Sequence, residues 1–540
     1  MSKKKLVAYF SMEIALENDL KTYAGGLGVL AGDILRSAAK QNFPMVGVTL
    51  FNYDGYFKQV ITSKGKQEER ADRSDKKKLR LLPYKIYLTI GTDKVLVKAW
   101  QYNLNNGEGN VPIYLLDTNW PENREKHRRL CETLYPSDKR KKLKQAVLLG
   151  RGGVKLLAKL GLDQFSKIHL NEGHGALAGV ELFKQLKASS ETERVRLVRD
   201  RVVFTTHTPI PAGHDIFFRE FLLKYQPDFP VKLGGLLETG EINFTELALF
   251  FSGYANGVSL KHGKVSRQMF PNYKISSITN GVNSLLWTAP EFTDLFNQHI
   301  PQWQEKNQRL KRVSRIPLAE IASAHAAAKQ RLIALIKKKK KIDFSPDKLI
   351  ITFARRFAPY KRPTLLLEDL KRLKDLNKKV GEIQIIYTGK AHPNDEIGKT
   401  LISEVNKRIK KLAGQVKIVF LENYDLELAK LLVAGSDIWL NNPLPPNEAS
   451  ATSGMKAAHN GVMQISTYDG WWPEAYVGGR TGWTITDAQD LYETLEKKVI
   501  PLYYQRPQKW QRMMRDTISL NASYFNTDRV LADYIKKAYK

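Results

Sequence analysis

The sequence predicts an α/β protein that is built on doubly wound parallel sheets. Short apolar runs typical of buried strands alternate with segments that carry apolar residues at helical spacing, most clearly between residues 349 and 467. Several of these runs end directly in polar or charged residues, as expected where the carboxyl ends of parallel strands face a ligand. The 540 residues, 42% of them hydrophobic, are enough for two or more domains with cores of their own.

The domain organisation follows from changes in this pattern along the chain. Short alternating strands joined by charged turns between residues 58 and 102 predict an antiparallel β insertion, and five consecutive lysines at 337–341 mark the approach to a second domain. We therefore expect four segments: a first doubly wound domain with its β insertion at 1–285, a helical linker at 286–345, a second doubly wound domain at 346–520, and a terminal helix at 521–540 that packs back on the first domain.

The chain is strongly basic, with 86 lysines and arginines against 55 acidic residues and a formal charge of +31. Such a charge attracts nucleic acids, anionic surfaces and phosphorylated small molecules. The lysine runs are not interleaved with aromatic residues and no nucleic-acid-binding motif accompanies them, so we predict no specific nucleic-acid partner.

Other classes are disfavoured by what the sequence lacks. No window approaches the roughly 18 apolar residues of a membrane helix, so no membrane partner is expected. No signal-peptide cleavage pattern follows the amino terminus, which predicts a cytoplasmic protein. The single cysteine, Cys131, allows no intrachain disulfide, and no metal site is predicted because no histidine spacing suggests one.

The stretch from residue 441 to 472 is the first candidate site. Ser450, Thr452, Ser453 and Gly454 come just before a short helical segment that carries Lys456. Hydroxyl groups and a glycine at a helix start favour an anion, usually a phosphate. An ordinary capped helix with a surface lysine remains the alternative.

A second candidate is the run of cations that follows the apolar strand at 349–353. Arg355, Arg356, Lys361 and Arg362 fall within eight residues, and paired cations of this kind neutralise and orient a phosphate. The Gly25-Gly26 loop before a helical segment at 29–40 gives a weaker indication of the same chemistry, because glycine pairs also make plain turns.

Polar residues also follow three strands of the first domain. His174, His207 and Asn280 come just after predicted strands at 168–170, 202–206 and 275–279, where a parallel sheet would place them near a ligand. The alternative is that the histidines are structural.

The segment at 448–457, EASATSGMKA, resembles the cofactor-lysine motif of the α-glucan phosphorylases. Seven further segments are similar to that family in the same order: 23–28, 169–174, 206–215, 278–282, 355–362, 389–393 and 423–443. The resemblance implies the GT-B architecture, in which two Rossmann-like domains face each other across a cleft and a lysine of the second domain binds pyridoxal phosphate. The implied reaction is reversible phosphorolysis of an α-1,4-glucan by inorganic phosphate, which releases glucose 1-phosphate with retained configuration.

The resemblance also implies roles for individual residues, with Lys456 forming the Schiff base. Catalytic roles fall to Lys456, Arg356, Lys361 and His207. Cofactor binding falls to Lys456, Thr452, Ser453, Gly454, Arg355, Gly25 and Gly26. Substrate contacts fall to Glu448, Ser450, Ala451, Asn280, Tyr360 and His174.

Three positions depart from the family pattern: Ala451 replaces a glycine, Ala24 an asparagine and Asn283 a histidine. If residue 451 needs a positive φ, its methyl group could impair activity. The chain is also short, so we expect no amino-terminal regulatory region and no allosteric nucleotide control, and a homodimer remains open.

Other functions remain to be weighed against phosphorolysis. A nucleotide-sugar glucosyltransferase of the glycogen synthase type would share the fold without a cofactor lysine, and a catalytically silent glucan-binding homologue would retain the fold alone. Asp469 and Glu474 could suggest the carboxylate pair of a glycosidase, although structural or sugar-contacting roles are favoured.

Overall fold

The structure is a computed structural model that describes residues 6–106, 109–230, 238 and 240–540. The remaining residues, all in the predicted first domain, lie outside this description. The strands, numbered in chain order, are β1 Val7–Ser11, β2 Met45–Leu50, β3 Lys58–Ile61, β4 Gln67–Arg70, β5 Arg80–Leu81, β6 Ile86–Ile90, β7 Asp93–Asn106, β8 Gly109–Asp117, β9 Lys167–Asn171, β10 Val202–Thr205, β11 Ile216–Phe218, β12 Glu241–Asn243, β13 Tyr254–Gly257, β14 Ile275–Ser277, β15 Leu349–Ala354, β16 Ile383–Thr388, β17 Lys417–Leu421, β18 Ile438–Asn441, β19 Met463–Thr467 and β20 Gly482–Ile485.

Helices connect and cover these strands, with short 3-10 and π turns between some of them. The α-helices are α1 Gly26–Lys40, α2 Glu125–Arg128, α3 Lys139–Val147, α4 Gly153–Lys159, α5 Leu177–Gln185, α6 Glu191–Arg199, α7 Arg219–Tyr225, α8 Phe244–Phe250, α9 Leu260–Met269, α10 Ser284–Trp287, α11 Pro290–His299, α12 Leu318–Lys340, α13 Leu370–Lys379, α14 Glu396–Lys411, α15 Leu426–Gly435, α16 Thr452–Ala458, α17 Trp472–Ala475, α18 Ala488–Thr494, α19 Ile500–Gln505, α20 Pro507–Thr517 and α21 Thr527–Lys537. Among the described residues, no helix is both long enough and apolar enough to cross a membrane.

The chain divides into two compact units. The first unit consists of 1–57, 71–279 and 530–540. Its main sheet has the order β14-β13-β10-β9-β1-β2-β8-β7-β5, with β6 paired to β7. The strands from β14 to β8 are parallel, whereas β5, β6 and β7 add an antiparallel edge.

The second unit consists of 58–70 and 280–529. Its six-stranded sheet has the order β17-β16-β15-β18-β19-β20 and is parallel throughout. The strands β15 and β16 are buried along their whole length, which explains their continuous apolar sequence. The β3–β4 hairpin joins this unit because Gln59 Nε2 donates to the carbonyl of Gly389 at 2.8 Å.

The structure confirms the mixed α/β class with parallel sheets, and the region from β3 to β7 is antiparallel as predicted. Four strands were not predicted, β11, β12, β13 and β20, and each is only three or four residues long. The sites of interest lie where strand order reverses in each sheet. These points are between β1 and β9 in the first unit and between β15 and β18 in the second.

Candidate active site

A buried cluster of opposite charges lies just beyond β15 and β18 in the second unit. Glu448 Oε2 accepts a hydrogen bond from Arg355 Nη2 at 2.7 Å and also contacts Lys361 Nζ. The three side chains are only 5–10% exposed. Since Arg355 directly follows β15, the cluster lies at the point where a parallel sheet of this topology binds ligands.

Burial and charge act in opposite directions on this cluster. Burial alone would raise the pKa of Glu448, but the positive charges of Arg355 and Lys361 lower the pKa of this carboxyl to about 2. Burial and the neighbouring Arg355 lower the pKa of Lys361, although Glu448 opposes this shift. Glu448 is therefore a carboxylate at neutral pH, and one negative charge is shared between two buried cations.

The backbone on both sides of the cluster is held in place. Asn442 Nδ2 donates to the carbonyl of Arg362 at 2.7 Å, and Arg362 Nε donates back to the carbonyl of Asn442 at 2.9 Å, which ties the turn after Lys361 to the end of β18. The backbone N–H of Glu448 donates to Asp469 Oδ2 at 2.9 Å. These bonds fix the backbone positions from which the Lys361 and Glu448 side chains extend.

Lys456 is buried on α16 and its ammonium group lies 4.1 Å from the ring centre of Trp287. The helix begins after Ala451, whose φ of 68° and ψ of 56° place it in the left-handed region. Gly454 is required in the first turn, because a Cβ there would lie 1.6 Å from Gln464 Oε1. With seven residues, α16 is too short to form an anion site by itself.

Several buried polar atoms near these strand ends have no hydrogen-bond partner. Among the described residues they include Arg355 Nη1, Ser450 Oγ and Asn280 Oδ1. Buried polar groups are nearly always paired, so unpaired ones indicate places where another molecule can supply the partner. A guanidinium and a hydroxyl are both donors that suit an anionic group.

The first unit carries acidic residues at its own reversal point. Glu13 follows β1, and its Oε2 accepts from the backbone N–H groups of Ala24 at 2.6 Å and Gly25 at 3.1 Å. The exposed loop of Gly25 and Gly26 therefore has one of its amides already bonded. A Cβ on either glycine would meet nothing within 4 Å, which leaves that side of the loop open.

Glu172 follows β9 in a strained conformation with φ of 74°. Its Oε1 accepts from the backbone N–H of His207 at 2.9 Å and from Thr208 Oγ1 at 2.6 Å. Burial, together with His262 and His174, lowers the pKa of His207 to about 4 against the opposing effect of Glu172, and Nε2 of the His207 ring has no partner. His207 is therefore neutral at pH 7 and offers one ring nitrogen to a ligand.

His174 Nε2 lies 3.6 Å from Asp215 Oδ2. Its Nδ1 is buried without a partner, so the ring can still contact a ligand. His169 behaves differently, because its two ring nitrogens are within 2.6 Å of Tyr539 Oη and 2.8 Å of Thr205 Oγ1. The structural alternative therefore holds for His169.

The predicted residues divide between the two units. Of the sixteen, the second unit carries Asn280, Arg355, Arg356, Tyr360, Lys361, Glu448, Ser450, Ala451, Thr452, Ser453, Gly454 and Lys456. The first unit carries Gly25, Gly26, His174 and His207. Among these residues of the second unit, Arg355, Lys361 and Glu448 form a buried ionic contact, and Arg356 is exposed.

Sequence reasoning missed residues that support these groups. Glu13 follows a strand at its carboxyl end, the same signal that selected His174 and His207, so the rule could have found it. Trp287 could not have been found, because its contact with Lys456 spans a large sequence separation.

A parallel α/β sheet with buried cations at its strand-order reversal is typical of enzymes that bind an anionic group there. The family model described as carbohydrate phosphorylase matches residues 232–474. Maltodextrin phosphorylase of Thermococcus litoralis is 38% identical over 99% of this chain and 70% of its own length. Glycogen phosphorylase of Aquifex aeolicus is 35% identical over 99% and 86%, and glycogen phosphorylase of Mycobacterium tuberculosis is 34% identical over 99% and 70%. The chain belongs to the carbohydrate phosphorylase family.

Proposed function

We propose that this protein is a pyridoxal phosphate-dependent α-glucan phosphorylase. It would cleave α-1,4-glucans with inorganic phosphate and release glucose 1-phosphate in a reversible, retaining reaction. The observation that carries the proposal is the buried Glu448, Arg355 and Lys361 cluster at the strand-order reversal. Membership of the carbohydrate phosphorylase family supports the same reaction class.

The residues around Lys456 fit the proposed cofactor. Lys456 would hold it, since a buried amine on a fixed helix is the group an aldehyde requires. Arg355, Thr452, Ser453 and Gly454 would hold its phosphate, and the unpaired Nη1 of Arg355 supports this role. When bound, the cofactor supplies a phosphate group that relays a proton to the glycosidic oxygen.

Lys361 and Arg356 would bind and orient the substrate phosphate. The buried ammonium group of Lys361 interacts strongly with an anion because little water screens it, and the exposed Arg356 would supply a second cation. A developing positive charge on the sugar ring is stabilised by the phosphate that these residues hold in place. No carboxylate dyad is required, and Asp469 is already engaged by the backbone N–H of Glu448.

The sugar would be bound by hydrogen-bonding groups from both units. Glu448, Ser450, Asn280 and Tyr360 would contribute from the second, with Ala451 adjoining them, and His174 and His207 from the first, with the Gly25-Gly26 loop beside the cofactor. The unpaired buried atoms of Ser450, Asn280, His174 and His207 support these assignments. At neutral pH the His207 ring can donate or accept one hydrogen bond without adding charge.

We also propose the GT-B arrangement, in which the two units face each other across a cleft. Family membership and the parallel sheet in each unit support it. We further propose a cytoplasmic location and a homodimer. The named relatives do not favour the nucleotide-sugar glucosyltransferase or the silent homologue.

The test combines cofactor trapping with product detection. The purified protein is incubated with pyridoxal phosphate, reduced with borohydride and digested, and mass spectrometry should locate the label on Lys456. The holoprotein with maltodextrin and phosphate should then release α-glucose 1-phosphate.

The matched controls are two lysine-to-arginine variants of the second unit. Lys456→Arg should lose both the label and the product, whereas Lys430→Arg, at a side chain 36% exposed, should keep both. Cofactor on Lys456 without glucose 1-phosphate would favour the silent homologue. Absence of any label on the wild-type protein would contradict the proposal.

A further inference from the structure

Two of the roles proposed above conflict in the structure, and the conflict concerns one carboxylate. Glu448 is assigned to the sugar, whereas Arg355 and Lys361 are assigned to phosphate groups. The structure has all three in direct contact, with a single oxygen, Glu448 Oε2, serving both cations. While Glu448 Oε2 is engaged by both cations, that oxygen is not free to bind sugar.

The cluster carries more positive than negative charge. One carboxylate faces two buried cations, and Arg355 Nη1 has no partner. An isolated charge out of water is strongly disfavoured, so the site favours a further anion. Glu448 partly satisfies this demand as an anion supplied by the protein itself.

The backbone and the carboxylate of Glu448 are held by different partners. Its N–H donates to Asp469 Oδ2 at 2.9 Å, and among the described residues its carboxylate is bonded to the two cations. Release of the cations therefore requires a change in the Glu448 side chain and leaves its backbone anchor in place.

We propose that Glu448 is an internal competitor for the anion site, so that phosphate binding and glucan binding are coupled through this residue. An anion that takes Lys361 releases the Glu448 carboxylate to the sugar, and a sugar that holds Glu448 leaves Lys361 to the anion. This inference rests on the proposed function. By thermodynamic reciprocity, each ligand then tightens the binding of the other by the same factor.

The experiment measures the dissociation constant of inorganic sulfate for the holoenzyme, with and without saturating maltodextrin. Sulfate is a tetrahedral dianion that cannot take part in phosphorolysis, so binding is measured without turnover. Maltodextrin should tighten sulfate binding to the wild type by at least about fivefold, the lower end of common coupling factors. Isothermal titration calorimetry gives both constants.

In Glu448→Gln the competitor is gone. Sulfate alone should bind about tenfold tighter than to the wild type, because one charge-assisted contact to Lys361 no longer has to be broken. Maltodextrin should no longer change the constant. Glu448→Asp, which keeps the charge on a shorter stem, should give intermediate values and covers the case in which the glutamine variant does not fold.

The matched control is Glu496→Gln, which removes a carboxylate from another arginine pair of the second unit, 42% exposed, and should leave sulfate binding and coupling unchanged. Unchanged or weaker sulfate binding in Glu448→Gln, or undiminished coupling, would overturn the inference. Failure of wild-type holoenzyme to bind maltodextrin would instead count against the proposed function, and the sulfate constants of the variants would still decide whether Glu448 competes.

Discussion

Replacing Ala451 by glycine should stabilise the protein, although glycine is usually destabilising. Ala451 has φ of 68° and ψ of 56°, a left-handed conformation that its Cβ disfavours by roughly 1–2 kcal/mol. Glycine removes this strain but loses about 0.4–1 kcal/mol through the greater freedom of the unfolded chain. With a small loss from the half-buried methyl group, we expect a net gain of about 0.5 kcal/mol.

A neighbouring alanine provides the control. Ala457 lies inside α16 and is fully buried, so Ala457→Gly loses helix propensity of about 1 kcal/mol and the burial of one methyl group, about 0.8 kcal/mol. The two substitutions are chemically identical and only six residues apart in sequence. Their effects should nevertheless have opposite signs.

Thermal unfolding followed by circular dichroism measures both. For a unit of this size, Ala451→Gly should raise Tm by about 1–2 °C and Ala457→Gly should lower it by about 4–6 °C. Glucose 1-phosphate release should survive in Ala451→Gly, because alanine already adopts the conformation that glycine favours. A fall in Tm for Ala451→Gly as large as that for Ala457→Gly would refute the strain argument.

Three further outcomes follow from buried ionisable groups. Asp437→Asn should lower the free energy of unfolding by about 3 kcal/mol in urea titrations, because the buried ammonium of Lys329, 2.7 Å from Asp437 Oδ2, loses its counter-charge. Cofactor binding should be unchanged. A loss of stability below about 1 kcal/mol would contradict this account. His207 should titrate near pH 4 in NMR spectra of labelled histidine. Since histidine in the unfolded chain binds a proton at higher pH, the contribution of His207 to stability should fall as pH drops from 6.5 to 4. A titration midpoint above about 6 would show that burial does not dominate the pKa of His207. The Tm difference between wild type and Glu448→Gln should be present at pH 7 and vanish as pH falls from 4.5 to 2, because the pKa of Glu448 is lowered in the folded state. A Tm difference that persists unchanged at about pH 3 would refute the ion-pair account.

Much of the fold could be predicted because the parallel strands are buried on both faces. The continuous apolar sequences of β15 and β16 predict both strands to within one residue. The short strand β13 has the sequence YANG, which is indistinguishable from a turn by local pattern. The β3–β4 hairpin follows the amino-terminal strands in sequence but groups with the second unit, and only contacts formed in the folded chain determine that.

Individual residues of the candidate site could be predicted from the sequence, but the ion pairs between them could not. Arg355 and Lys361 stand out because they follow a wholly apolar strand, and Lys456 stands out within its motif. Glu448 is 93 positions from Arg355 and 87 positions from Lys361 in sequence, and no spacing rule predicts its contact with both cations. The positive φ at residue 451 was foreseen as a condition on the motif, and the structure meets that condition without glycine.

The net charge of +31 does not explain how the site selects an anion. The lysines at the end of α12 are mostly exposed, and at physiological salt exposed charges are screened within about 8–10 Å. Arg355 and Lys361 are 5% and 10% exposed, so they retain their attraction for an anion where water cannot screen it. The surface charge therefore affects encounter with anions in general, whereas our proposal assigns the retention of an anion, and its coupling to sugar binding, to the two buried cations and the carboxylate between them.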